Sequence, residues 1–311
     1  MTSAGTVCRS DRRRDREAVR FAAVAGMESP VLLRAASGTS LYRCGELVIR
    51  ISAPGRRPMT PEHLLAISTL LAGHGVPATV GHGRAGAGSD GDEITVWDFV
   101  PNNPSTPYPA FRVGAALRAL HAVPVTAAAQ AMGGPVPTTA PALDRICGWV
   151  EHLERDADAG IHTGATPGLL RGLLTALLCD FEKASAGVEP VLLHGDANGS
   201  NVLWGVLPGP VLCDFEDLMT GPWAWDLTNL AVSVARGRRP PSVMVDLVAG
   251  YGKDPTTCPG WETMCHLVAL QGTVWNVIEA RGPSGATDPA VARELMAWLR
   301  AGFPGLPPLA R

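Results

Sequence analysis

The sequence predicts an α+β chain of two lobes: a small antiparallel sheet with one helix over residues 21–100, and a larger, mainly helical body over 101–311. Three observations carry that reading. Runs rich in β-branched and aromatic residues gather before residue 100 around Gly-containing turns. Apolar stripes at helical spacing follow one another after it. Pro101-Asn102-Asn103-Pro104 between them reads as a connector.

Residues 1–20 are polar and carry Arg9, Arg12, Arg13, Arg14, Arg16 and Arg20. They read as a flexible segment leading into a solvated helix start; a nucleic-acid-binding tail is the competing reading. The apolar patch Phe21–Met27 stops at Glu28-Ser29-Pro30, too short for a targeting signal. Val31–Arg34 leads through Ser37-Gly38-Thr39-Ser40 into Leu41-Tyr42-Arg43, and a Cys44-Gly45 turn returns the chain along Leu47–Ile51, the pattern of a hairpin. Thr60 as N-cap, Pro61 as first residue, the stripe Leu64, Leu65, Ile67, Leu70, Leu71 and the closing Gly73 predict a helix. Gly86–Asp92 reads as a loop and Glu93–Phe99 as a further strand. Helices are expected at Ala110–Ala122, Ala142–Ala157, Gly168–Ala186, Trp223–Ala235, Val243–Tyr251, Trp261–Ala280 and Pro289–Ala301. Short β stretches interrupt them at Val191–Leu193, Val202–Trp204 and Val211–Cys213, and 124–141 reads as a Pro/Ala/Thr-rich loop.

Composition narrows the function classes. With 46% hydrophobic and 18% charged residues in 311, the chain is neither disordered, nor collagenous, nor a disulfide-stapled miniprotein. A net charge of −3 supplies no global basic field for nucleic acid, and no uncharged apolar run approaches the ~20 residues of a membrane span. The seven cysteines are scattered and never form C-x-x-C, which predicts reduced thiols in the cytoplasm. Arginines number 24 against two lysines, so a role usually filled by lysine falls in most places to arginine.

The informative stretch is His194-Gly195-Asp196-Ala197-Asn198-Gly199-Ser200-Asn201, followed by Val211-Leu212-Cys213-Asp214-Phe215-Glu216. An Asp follows a strand, an Asn stands five residues on, and a second Asp ends another short strand eighteen positions after the first. Phosphoryl transfer from ATP needs these parts: one carboxylate for the attacking hydroxyl, and hard oxygen ligands for Mg²⁺ on the phosphates. Turn-capping Asp and Asn residues are the plain alternative.

This run resembles the aminoglycoside phosphotransferase / choline kinase family, with its H-G-D-x-x-x-x-N and D-[WF]-E signatures. Gly221-Pro222-Trp223-Ala224-Trp225-Asp226-Leu227 looks like the family's G-D-P-x-x-D-L segment, with Pro222 and Trp223 in altered positions. The hairpin, the Thr60–Ala72 helix and Leu117-Arg118-Ala119-Leu120-His121-Ala122 also look familial, so the likeness spans roughly 30–300 and is specific over 194–231. It implies a bilobal, protein-kinase-like fold with a nucleotide-binding N-lobe and a catalytic, acceptor-binding C-lobe. It implies Asp196 as catalytic base, Asn201 and Asp214 as Mg²⁺ ligands, His194 as a brace and Asp226 as the cap of the next helix. It sets ATP, or GTP, against the Ser37-Gly38-Thr39-Ser40 turn, which an ordinary Gly turn would equally explain. Arg50 stands where the family has a strand Lys or Arg on the phosphates, with Glu62 as its ion-pair partner or merely as a first-turn acid. Trp97–Val100, including Phe99, would be the adenine hinge, and Leu203 and Cys213 would pack under the base. Glu216 would approach the metal's water shell or pair locally.

The acceptor implied is a small-molecule hydroxyl. Residues 217–311 hold eight acids and eight bases, no acidic field for a polycation, whereas 141–193 hold eight acids against four bases. Six tryptophans outside the β segments could stack on sugars or heterocycles or simply build core. The balance favours a glycosylated or nucleoside-like antibiotic, giving inactivation or self-resistance, over a polycationic aminoglycoside. A metabolic kinase of choline, a sugar or an amino alcohol is the alternative, and a nucleotide-binding pseudoenzyme a further one. Protein-kinase activity is disfavoured: the hairpin turn at Ser37-Gly38-Thr39-Ser40 is not a G-x-G-x-x-G, no A-P-E follows Phe215-Glu216, and Asp226 follows Asp214 by only twelve residues. Oligomeric state and the role of the Arg-rich N-terminus are not encoded legibly.

Overall fold

The computed structural model describes residues 9–36, 38–53, 59–88, 91–158, 168–280 and 287–309. Strands β1 (Val31–Ala36), β2 (Thr39–Cys44), β3 (Leu47–Ser52), β4 (Gly81–Ala87) and β5 (Glu93–Asp98) form one antiparallel sheet in the order β1-β2-β3-β5-β4. Alternation along the strands gives the sheet two different faces. Tyr42, Cys44, Ile49, Ile51 and Ile94 point to one side, where they form a small core with Ala18 and Ala22. Leu41, Arg50 and Thr95 stand opposite one another in register on the other side.

The helix that supplies Ala18 and Ala22 is α1 (Arg9–Ala25). The expectation of a flexible segment up to residue 20 therefore fails from Arg9 onward, and residues 1–8 lie outside the described residues. Small residues on one face let α1 lie close to the sheet, and its polar residues find specific partners. Tyr42 donates its hydroxyl to Asp15 Oδ1 at 2.9 Å. Arg13 Nη2 and Arg14 Nε lie 2.5 and 3.4 Å from Asp92 Oδ2.

Helix α2 (Pro61–Gly73) starts at Thr60, whose Oγ1 accepts the His63 amide at 3.3 Å, and buries Leu64, Ile67 and Leu71. Strand β4 carries no strand signature of its own, being glycine-rich; its hydrogen bonds to β5 make it a strand. Beyond the sheet come α3 (Ala110–His121), α4 (Val125–Met132), α5 (Ala140–Asp158) and α6 (Leu169–Ser185). They are followed by α7 (Trp225–Ala235), α8 (Pro241–Tyr251), α9 (Trp261–Glu279) and α10 (Pro289–Arg300). Helix α4 lies within the stretch expected as a loop. Its alanines are the best helix formers, and left-handed Gly133 ends it. Helix α9 is apolar nearly all round and forms the centre on which α5, α6, α7 and α10 pack. Two short ribbons, β6 (Val191–Leu193) with β9 (Met219–Gly221) and β7 (Val202–Leu203) with β8 (Val211–Leu212), carry the motif residues.

Two glycines set the crossing of α3 and α8. A Cβ on Gly250 would lie 1.8 Å from the Phe111 carbonyl oxygen, and one on Gly114 2.1 Å from that of Leu247. Only glycines allow α3 and α8 to approach this closely, and that approach brings Tyr251 against His121. No helix among the described residues is long and apolar enough to cross a membrane.

Asp92 is 1% exposed and Arg14 6%. Asp92→Ala strands a buried guanidinium and should lower stability by about 3 kcal/mol, read as a fall in the urea midpoint at unchanged m.

Candidate active site

The turn after β6 is shaped by backbone amides meeting a buried carboxylate. Asp226, in the first turn of α7, accepts the His194 amide on Oδ2 at 2.7 Å and the Gly195 amide on Oδ1 at 2.9 Å. Its Oδ2 also lies 3.0 Å from His121 Nε2, and His121 Nδ1 lies 2.8 Å from the Tyr251 hydroxyl. The carboxylate can only accept, so the ring proton sits on Nε2 and, in the neutral ring, Nδ1 accepts from Tyr251. Burial pushes the Asp226 carboxyl up, but the His121 hydrogen bond and charge, with the His194 amide, outweigh it and hold it below the ordinary carboxylate value. Gly195 has φ +82°, and a Cβ there would lie 1.9 Å from the Asp217 carbonyl oxygen, so glycine alone fits the turn.

Asp196 leaves this turn with its carboxylate gripped by two amides. Asn198 Nδ2 donates to Oδ1 at 2.9 Å, and Asn201 Nδ2 donates to Oδ2 at 3.0 Å and to the Asp196 carbonyl at 2.9 Å. Desolvation, then the charge of Asp217, push the Asp196 carboxyl above its ordinary value, with Asp214 adding to the rise. Asn201 turns its amide nitrogen to Asp196 and is 7% exposed.

The β7–β8 register brings the second acid to the same place. Val202 pairs with Leu212, and the Cys213 amide donates to the Asn201 carbonyl at 3.0 Å, so Asp214 emerges beside Asn201. His194, fully buried, has Nε2 3.0 Å from the Cys213 carbonyl and its ring against Phe215. Asp214 itself is left-handed (φ 66°, ψ 63°), a conformation rare for a residue with a Cβ and one that aims its carboxylate out of the strand. Among the described residues no three His, Cys, Asp or Glu side chains gather as a metal cage. The donors at this point are hard oxygens, an amide from Asn201 and a carboxylate from Asp214, which suit a cation that keeps most of its own waters.

The sheet meets this loop through Arg50. Its Nη2 forms an ion pair with Glu216 Oε1, 6% exposed, and lies 3.9 Å from Asp214 Oδ1. The expected pairing of Arg50 with Glu62 is not formed. Glu62 is exposed in the first turn of α2, where its own backbone amide and Thr60 hold its carboxyl below the usual value. Asp217 pairs with Arg145 at 2.8 Å.

The other nucleotide-side residues divide. Ser37 lies outside the described residues. Gly38 makes the tight turn (φ +77°), its carbonyl accepting the Ala53 amide at 3.0 Å. Thr39 Oγ1 stands 3.4 Å from Ser52 Oγ. Ser40 faces the other way, fully buried beneath α1 opposite Ile51, because side chains alternate along β2 and only every second one can join Arg50. Trp97 shares the face of Arg50 and Thr95, its Nε1 donating to Thr95 Oγ1 at 2.8 Å. The Phe99 amide donates to the Glu46 carbonyl at 2.8 Å and its ring lies 3.8 Å from the Arg43 guanidinium. Leu203 and Cys213 are half-buried at opposite ends of the β7–β8 ribbon. Burial, then the Asp214 charge, push the Cys213 thiol up to about 12.

Sequence reading did not find His121, Tyr251, Arg145 or Asp217 as parts of this site. His121 and Asp217 stood inside stretches that resemble the family, which was the available signal; Tyr251 and Arg145 had none.

The description "Phosphotransferase enzyme family" belongs to the family model that matches residues 26–267. No curated protein matches the chain in sequence. Among solved structures, the GDP complex of an aminoglycoside 2'-phosphotransferase-IIIa superposes with a TM-score of 0.65 at 18% identity, covering 94% of this chain and 98% of that one. A choline/ethanolamine kinase family protein from Mesorhizobium loti has a TM-score of 0.65 at 18% identity, with 94% of each chain covered. A macrolide 2'-phosphotransferase from Brachybacterium faecium has a TM-score of 0.54 at 21% identity, covering 94% of this chain and 99% of that one.

Asp226→Asn should destabilise the protein by about 3 kcal/mol at neutral pH, because the amide keeps the shape but gives up the charge-assisted bonds. The native carboxyl is depressed, so its contribution is complete above the ordinary carboxylate pKa of about 3.9 and is lost as pH falls through the native value. The gap between wild type and variant in denaturant midpoints should therefore shrink on acidification below about pH 4.

Proposed function

The chain belongs to the phosphotransferase enzyme family, and from that premise we propose that it is an ATP- or GTP-dependent, Mg²⁺-dependent O-phosphotransferase of a small-molecule hydroxyl. The observation that carries this reading is the convergence of two chain segments. Asp226 fixes the turn that bears Asp196, His194 ties that turn to Cys213, and Asn201 and Asp214 stand side by side below Arg50. Asp196 accepts the hydrogen of the acceptor hydroxyl and aims its oxygen at the γ-phosphorus; Asn198 and Asn201 hold the carboxylate in that aim. Asn201, through the oxygen left when its nitrogen bonds Asp196, and Asp214 hold the metal. Mg²⁺, when bound, neutralises charge that develops on the phosphoryl oxygens. Arg50 adds a fixed cation from the sheet side. The six described cysteines are free thiols, in keeping with work in the cytoplasm beside its nucleotide pools.

The acceptor is a weakly charged, glycosylated or nucleoside-like compound of antibiotic type, and phosphorylation inactivates it. Arg239 supports this choice over a polycation. Its guanidinium lies 4.0 Å above the Tyr108 ring, and its Nη2 would be 3.0 Å from a Cβ on Gly199, within the Asp196–Asn201 loop. A cation at that position repels amines and tolerates neutral or anionic groups.

Asp196→Ala should lower phosphate transfer by at least about 10³-fold with an unchanged circular-dichroism spectrum; wild-type turnover by that variant would sink the assignment. Asp214→Ala should weaken Mg²⁺-dependent nucleotide binding about tenfold or more, and an unaltered Mg²⁺ titration would contradict the ligand role. ADP release should be measured with macrolides, nucleoside antibiotics, aminoglycosides, choline and sugars as acceptors. Turnover of a weakly charged antibiotic is expected. Turnover confined to aminoglycosides overturns the acceptor class, and turnover confined to choline or a sugar replaces it by a metabolic kinase.

A further inference from the structure

Strand β1 contains a bulge that changes which face one arginine occupies. Val31 pairs with Arg43 and Leu32 with Tyr42, but the next pair is Arg34 with Leu41, so Leu33 is an extra residue on β1. Had the register run on, Arg34 would stand opposite Ser40, among the side chains that pack beneath α1. The bulge turns it to the other face. Leu41 pairs in turn with Arg50 and Arg50 with Thr95, so Arg34 and Arg50 occupy one row of the sheet, on the face that looks onto the Asp214 loop. They are two strands apart, roughly 10 Å between strand axes, a gap that two long side chains can close around one polyanion.

Their surroundings differ. Arg50 is engaged by Glu216 and Asp214. Arg34 is exposed, and among the described residues no carboxylate pairs with it. The sheet face that looks onto the Asp214 loop therefore carries Arg50 and Arg43, each held by protein acids, and Arg34, which is not.

We propose that Arg34 is a nucleotide-binding residue, one that contacts the phosphates of the donor nucleoside triphosphate and acts with Arg50 as a two-arginine clamp. The inference rests on the nucleotide-dependent reading of the site. Arg34 supplies charge to the phosphate chain and takes no part in recognising the base. A bulge and a charge on an edge strand also blunt edge-to-edge pairing, and that role would leave nucleotide affinity untouched.

The experiment is calorimetric titration of the full chain and its Arg34→Ala and Arg34→Lys variants with Mg²⁺·ATP, Mg²⁺·GTP and the corresponding nucleosides. Wild type is expected to bind at least one triphosphate. Arg34→Ala should weaken that triphosphate about tenfold or more, while nucleoside affinity and the thermal unfolding midpoint stay put; Arg34→Lys should recover part of the loss. The wild-type affinity should also fall more steeply with salt than that of Arg34→Ala. Equal triphosphate binding by wild type and Arg34→Ala overturns this inference alone, as does a loss shared equally by the nucleoside. Wild type that binds neither triphosphate overturns the nucleotide-dependent reading and this inference with it.

Discussion

The Asp226 carboxylate is buried at 2% exposure, and an ion in that position is tolerable only if its lone pairs are filled. They are filled by two consecutive backbone amides, those of His194 and Gly195, and by the His121 ring. Two adjacent N–H groups that point at one carboxylate leave the peptide between them little freedom, so the Asp196 turn inherits its conformation from α7. The His194 ring then reaches the Cys213 carbonyl and ties the turn to the strand that ends at Asp214. The grip extends through His121 to Tyr251, and so to the glycine-lined crossing of α3 and α8. The acidic residues are thus held by supports drawn from three helices, none of which carries them.

The site gathers negative charge. Burial, then the charges of Asp217 and Asp214, raise the Asp196 carboxyl, and Glu216 is buried close by. Arg145 answers Asp217, and Arg50 answers Glu216 and Asp214 together. The Arg50–Glu216 pair is also the charged tie between the sheet and the Asp214 loop. A polyphosphate with its cation entering this space would compete with Glu216 for Arg50 and relieve the carboxylates at once. The residue before left-handed Asp214 is held on both sides, the Cys213 carbonyl by the His194 ring and the Cys213 amide by the Asn201 carbonyl.

Helix α1 explains how the sheet can offer one face to that chemistry. A sheet with both faces bare would have no core of its own; covering Ile49, Ile51 and Ile94 with α1 leaves the Arg50 face free to look onto the loops. The ion pairs to Asp92 and the Tyr42–Asp15 hydrogen bond hold the helix in register with the strands it covers.

The H-G-D-x-x-x-x-N run, the second acid eighteen residues on, and the Asp-Leu start of α7 were legible because each is a short pattern whose parts are close in the chain. Most helices were legible for the same reason, their stripes and caps being local. What depended on distant pairing was not. Ser40 and Thr39 are adjacent, yet β2–β3 register sends them to opposite faces. Arg50 chose Glu216 over Glu62 because the Asp214 loop lies closer to it than the exposed first turn of α2. Strand β4 exists through its partner, α1 through the sheet beneath it, and the His121–Tyr251 contact joins residues 130 positions apart. Local propensity and spacing are written along the chain and determined most helices and the H-G-D-x-x-x-x-N and D-F-E motifs. The face each side chain shows, and the partner each charge finds, are settled only when remote segments pack, because strand register and helix approach are properties of pairs of elements and not of either alone.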